Sequence, residues 1–160
     1  MVGVSLIAVG SLKEKYFREA AEEYSKRLSA YCSLTTVEIK EKKVPDDPSG
    51  EEIKKALDAE GRELLSKITK RDYVIVLAVE GRSFSSESFA SKIGDLIAGG
   101  TSRIVFVIGS SWGLSDEVKK RADLKLSVSE MTFPHQMMRP IVLEILYRCF
   151  GILAGSKYHK

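Results

Sequence analysis

The stretch Ser127–Arg139 (SVSEMTFPHQMMR) crowds small polar, aromatic and basic residues together, among them His135 and Arg139. His135, just after Pro134, reads most simply as a hydrogen-bonding residue at a helix start. The stretch links a strand-like apolar run to the longest apolar helical pattern in the sequence, as a binding loop on a helix start would. The other histidine, His159, lies in the basic tail beside Tyr158.

Other chemistries find little support. Cys32 and Cys149 are far apart and outside any C-x-x-C spacing, so they read as reduced, buried thiols. Two histidines and two scattered cysteines do not make a zinc site, and no metal is expected. No serine sits in a G-x-S-x-G elbow, and no G-x-x-x-x-G-K-[S/T] loop is present. Gly109-x-x-x-Gly113 follows an apolar strand, where a nucleotide could approach the backbone. It lacks the full dinucleotide fingerprint, and a plain turn accounts for it better. Trp112, the one tryptophan, stands in that polar loop, where stacking on a ligand, base or partner competes with ordinary core packing.

The elements that must position these residues follow from hydrophobic period and capping. Val2–Val9, Leu34–Ile39, Tyr73–Val79, Arg103–Ile108 and Leu124–Val128 read as strands, several of them apolar on both faces. Between them lie one-faced helical patterns. Ser11-Leu-Lys-Glu14 and Ser49-Gly-Glu-Glu52 match capping boxes, and Ser85 and Ser115 read as N-caps. Gly61 weakens the second helix by about 1 kcal/mol relative to alanine. Pro140 predicts a last helix whose regular part begins near residues 137–139 and runs to about Ala154. Strands alternating with helices give an α/β fold, a mostly parallel sheet with helices on both faces, in one domain over residues 1–160. Ligands of such sheets bind beyond the carboxyl ends of the strands, which picks out the loops after Val79, Gly109 and Val128. The last helix is apolar on more than one side, which points to a second contact surface and a homodimer.

Composition sets the class. With 44% hydrophobic and 29% charged residues, this is an ordinary globular chain able to fold without disulfides or metal. The net charge of +3 falls entirely at and beyond Pro134, which favours a polyanionic partner only weakly. Residues 2–9 are too short to span a membrane and no basic segment precedes them, so a cytoplasmic protein without a membrane partner is expected.

Taken together, LAVEGRSFSSE, FVIGSSWGLS, LSVSEMTFPHQMMR, LEILYR, the N-terminal IAVGSLKEKY and the terminal YHK resemble the RlmH-type ribosomal RNA methyltransferases of the SPOUT class, over essentially the whole chain. The resemblance implies a homodimer whose C-terminal part forms a trefoil knot, a topology that sequence physics alone would disfavour. It implies transfer of a methyl group from S-adenosylmethionine to N3 of a pseudouridine in 23S rRNA, on assembled ribosomes. By the same resemblance the cofactor contacts fall on Leu77, Gly109, Val128, Ser129, Glu130, Met131, Thr132 and Phe133. Arg139 and His159 are then expected at the reacting base, with His135 and Tyr158 as further RNA contacts. The chain departs from the family pattern at Arg82, Ser110, Trp112, Pro140 and Lys157, which bears on fine site geometry more than on activity. A SPOUT methyltransferase acting on tRNA or another rRNA position, and an RNA-binding dimer without turnover, are the alternatives.

Overall fold

The computed structural model describes residues 1–160. Five parallel strands form one sheet in the order β2-β1-β4-β3-β5. They are β1 (Gly3–Val9), β2 (Ser33–Ile39), β3 (Tyr73–Arg82), β4 (Arg103–Ile108) and β5 (Leu124–Leu126). The strands are apolar on both sides because both sides are covered. Val4, Leu6 and Ala8 of β1 face a cluster with Phe106 of β4, and Ile7 and Val9 face a second cluster with Val105 and Val107. The first cluster is closed by α1 (Lys15–Leu28), α3 (Ser86–Ala98) and α5 (His135–Leu153), and the second by α2 (Gly50–Leu65) and α4 (Asp116–Arg121).

Local capping explains several helix starts. Ser49 accepts from the Glu52 N–H while the Glu52 side chain accepts from the Ser49 N–H, so the expected capping box forms. Ser85 and Ser115 likewise accept from Ser88 and Val118. The Ser11 box does not form. Helix α1 starts after Glu14, which makes no side-chain cap bond. The reason is tertiary: Leu12 is buried, and the Lys13 N–H is taken by the Gln136 side chain at 3.0 Å.

Helix α5 also differs from the expectation. It begins at His135 and carries Pro140 inside it. Proline offers no N–H to the Gln136 carbonyl, which in a helix interior costs about 3 kcal/mol. Contacts made by the early helix offset that loss, namely the Gln136 bond to Lys13 and the buried side chains of Arg139 and Pro140. Strand β3 runs past Val79 to Arg82, with a register shift between Leu77 and Arg82 against β5, which ends at Leu126 rather than Val128. At that shift the Ser127 N–H donates to the Arg82 carbonyl at 3.0 Å. A Cβ on Gly81 would come within 2.6 Å of the Lys125 carbonyl oxygen, so only glycine lets the two backbones pass this closely.

No helix is long and apolar enough to cross a membrane. No group of three or more His, Cys, Asp or Glu side chains is placed to hold a metal ion.

Candidate active site

Strands β4, β3 and β5 are neighbours, so the loops that leave their carboxyl ends are neighbours too. A cavity of about 800 Å³ opens there, lined by Leu77–Glu80 within β3, by Ile108 and Leu126 at the ends of β4 and β5, and by the loops that follow β4 and β5.

The glycine loop is a tight turn. Gly113 has φ +94°, its N–H donates to the Ser110 carbonyl at 2.9 Å, and the two residues form an isolated antiparallel bridge. A Cβ at Gly109 would collide with the Gly113 carbonyl oxygen, so this position is closed to other residues. Trp112 stands at the tip, 47% exposed. The loop after β5 is shaped by its own serines: the Ser127 hydroxyl donates to the Ser129 carbonyl at 3.1 Å, and the Ser129 hydroxyl accepts from the Met131 N–H at 3.0 Å. Met131 and Phe133 are left exposed at the rim. His135, in the first turn of α5, and Met138 one turn further on complete that wall.

Of the cofactor-contact candidates, Leu77, Gly109, Val128, Ser129, Met131, Thr132 and Phe133 all line this cavity, and Glu130 does not. The cavity also takes in Glu80 and Lys119, which the sequence reading passed over. They pair at 2.7 Å, and the Lys119 ammonium holds the Glu80 carboxyl below its usual range. No local signal marks Lys119, because it reaches the rim only through the packing of α4. Trp112, flagged in sequence as a stacking candidate, stands on the wall.

Arg139 lies elsewhere, buried to 6% exposure. Its Nη1 donates to Glu38 Oε2 at 2.6 Å and its Nη2 to the Gly10 carbonyl at 2.9 Å, while Nε has no partner. Its side chain is not on the cavity wall. The tail is also held apart. His159 Nε2 pairs with Glu87 Oε1 at 2.8 Å and its Nδ1 lies 3.3 Å from Arg148 Nη1. The Tyr158 hydroxyl donates to Glu144 at 3.1 Å, and burial together with Tyr24 and Glu144 pushes its pKa up to about 12. Within one chain, then, His135 is the sole histidine on the cavity wall.

The geometry suits an adenosyl group. The volume lies in the range of small-molecule sites, and aliphatic residues such as Leu77, Ile108 and Leu126 line it beside a smaller set of polar side chains. Side chains of Ser110, Ser111, Lys119, Ser129, Thr132 and His135 bring hydrogen-bonding groups to the wall.

A doubly covered parallel sheet with a cavity at the carboxyl ends of three adjacent strands belongs to a recognisable class of α/β proteins, and comparison fixes it. The family described as "Predicted SPOUT methyltransferase" matches residues 2–159, and the chain belongs to that family. It is 47% identical over 159 residues to the ribosomal RNA large subunit methyltransferase H of Clostridioides difficile (strain 630), covering 99% of this chain and 100% of that protein. It is 48% identical over 157 residues to the protein of that name from Streptococcus agalactiae serotype III (strain NEM316), covering 98% and 99%. Among solved structures, a probable methylase family protein from Haemophilus influenzae Rd KW20 shares the fold, with a TM-score of 0.55 at 16% identity over 100% of this chain and 72% of that one.

Proposed function

We propose that the protein transfers a methyl group from S-adenosylmethionine to N3 of a pseudouridine in 23S rRNA on assembled ribosomes, as a cytoplasmic homodimer. The observation that carries this reading is the convergence of β3 and the loops after β4 and β5 on one largely apolar cavity in a chain of the SPOUT methyltransferase family. The relatives' name, ribosomal RNA large subunit methyltransferase H, supports the substrate.

When bound, S-adenosylmethionine supplies an electrophilic methyl group. The chain's own residues do the rest. Leu77, Val128 and Phe133 would wall the adenosine off from water, and backbone groups of the loop Ser129–Thr132 would hold the adenine. An in-line displacement needs alignment and a deprotonated imide nitrogen. His159 takes the N3 proton or orients the base. Because it sits away from the cavity of its own chain, it is assigned to the site of a partner protomer. His135 and Tyr158 face the RNA. Arg139 acts through position: by fastening α5 to Gly10 and Glu38 it sets where His135 and the preceding loop stand. Membership of the SPOUT family is what supports a C-terminal trefoil knot.

Transfer of labelled methyl from S-adenosylmethionine to 70S ribosomes, separate subunits and free tRNA tests the reading. Label in 23S rRNA of whole ribosomes is expected. Label in tRNA alone overturns the substrate, and label nowhere leaves an RNA-binding dimer without turnover.

A further inference from the structure

Beside the cavity, beyond the carboxyl ends of β1 and β2, runs a second groove of about 680 Å³. Lys13, Lys40, Lys42 and Lys43 line it, all exposed, against the acids Glu38 and Glu41. Glu38 is already paired with the buried Arg139, so the groove is more positive than its lining suggests. Trp112 lines both the groove and the cavity, and is the ridge between them. The groove side of the ridge is fixed to a buried carboxylate: Glu60 Oε2 accepts from the Lys42 N–H at 2.8 Å, and Glu60 Oε1 has no partner.

We infer that this groove holds the phosphodiester backbone of the RNA strand flanking the methylated base, with Trp112 stacking on a neighbouring base. Lysines tracking a strand beside an exposed aromatic ring are the usual means of gripping single-stranded nucleic acid. An acidic peptide would match the lysines alone. RNA also accounts for the tryptophan, because a base entering the cavity from the groove must cross it. The inference rests on the RNA methylation reading and names its substrate-binding surface.

The test uses the full chain saturated with S-adenosylmethionine, as wild type, as the K40A/K42A/K43A variant, and as Trp112→Ala and Trp112→Phe. The triple variant should keep wild-type affinity for S-adenosylmethionine. It should raise the KM for 70S ribosomes about tenfold at moderate salt and flatten the dependence of log KM on log salt by roughly 2. Trp112→Ala should raise that KM at least about fivefold, and Trp112→Phe should restore most of it. Because the chain has one tryptophan, oligouridylate should also quench its fluorescence directly. A triple variant within twofold of wild type in KM with an unchanged salt slope, or fluorescence unmoved by oligouridylate, overturns the inference (roughly the scatter expected when no phosphate contact is lost). Weaker ribosome binding with undiminished oligouridylate binding assigns the groove to a ribosomal protein and overturns it too. A wild-type protein that methylates no ribosome sinks the reaction instead, and the fluorescence titration still decides the groove.

Discussion

Arg139 and Glu38 join the start of α5 to the end of β2 through a 2.6 Å ion pair, and the same guanidinium bonds the Gly10 carbonyl beyond β1. One side chain thus fastens the helix that follows the cofactor-loop candidate to two strand ends. The arginine side chain is 8% exposed and the glutamate side chain 47%, so the pair is only half desolvated. Removing the arginine leaves Glu38 free to hydrate but strands the Gly10 carbonyl.

Arg139→Ala should therefore lower stability by about 2–3 kcal/mol, the loss of two hydrogen bonds to a charged group. Arg139→Lys should recover only part, since an ammonium cannot reproduce the fork. Urea unfolding measures both. A change below about 0.5 kcal/mol for the alanine variant, the size of an ordinary surface substitution, would show that the clamp contributes nothing.

Gly61 lies inside α2, where helix propensity alone makes alanine better by about 1 kcal/mol. Packing reverses the sign. An added Cβ would run into Ser115 Oγ and stand 3.2 Å from Val118 Cγ2, where α4 begins. Ser115 is also the N-cap of α4. Gly61→Ala should destabilise by about 1–3 kcal/mol through overpacking and the displaced cap, read by chemical denaturation. A more stable variant would mean that α4 shifts to accommodate the methyl.

What the sequence made legible was local. Ser49, Ser85 and Ser115 could be recognised as caps because their partners lie three residues on. The doubly apolar strands announced a covered parallel sheet, and strand-end logic selected the loops after β4 and β5 that meet at the cavity. The expected loop after Val79 is instead a continuation of β3, whose residues Val79 and Glu80 line the cavity. What failed was set by distant contacts. Ser11 lost its capping role because Lys13 is held by Gln136, and Pro140 entered α5 because the early helix is tied to β1 and β2. Glu60, Glu80 and Lys119 carry no marker in sequence, since only the folded chain brings Glu60 under the tryptophan turn and the other two to the cavity rim.

Glu60 gives a pH signature. Burial raises its pKa above the ordinary carboxylate value, and the Lys42 N–H opposes this with a smaller effect. The folded protein therefore holds the proton to higher pH than the unfolded chain. The protonated group's stabilising contribution is complete below the unfolded value and is lost as pH rises through the raised folded value. Glu60→Gln keeps an acceptor for Lys42 without the charge. The stability of the variant relative to wild type should increase with pH across that window and level off above it. Parallel pH profiles from thermal unfolding would rule this out.

His159 settles whether the tail works on its own chain or on a partner. In one chain it is docked on α3 and α5 by Glu87 and Arg148, off the cavity wall, and the Glu87 carboxyl is held below its usual range chiefly by the hydrogen bond to His159. A tail that completes the partner's site can be complemented. His159→Ala leaves the cavity intact, and Gly109→Ala disables the cavity while leaving the tail, so each homodimer should be inactive. In a mixed dimer acting in trans, the intact cavity of the first chain receives the intact tail of the second, giving one working site. Co-expression at equal levels makes about half the dimers mixed, so roughly a quarter of the wild-type rate should return. A tail acting within its own chain restores nothing, because every site then carries one defect. Methyl transfer by the co-expressed mixture therefore separates the two arrangements in a single measurement.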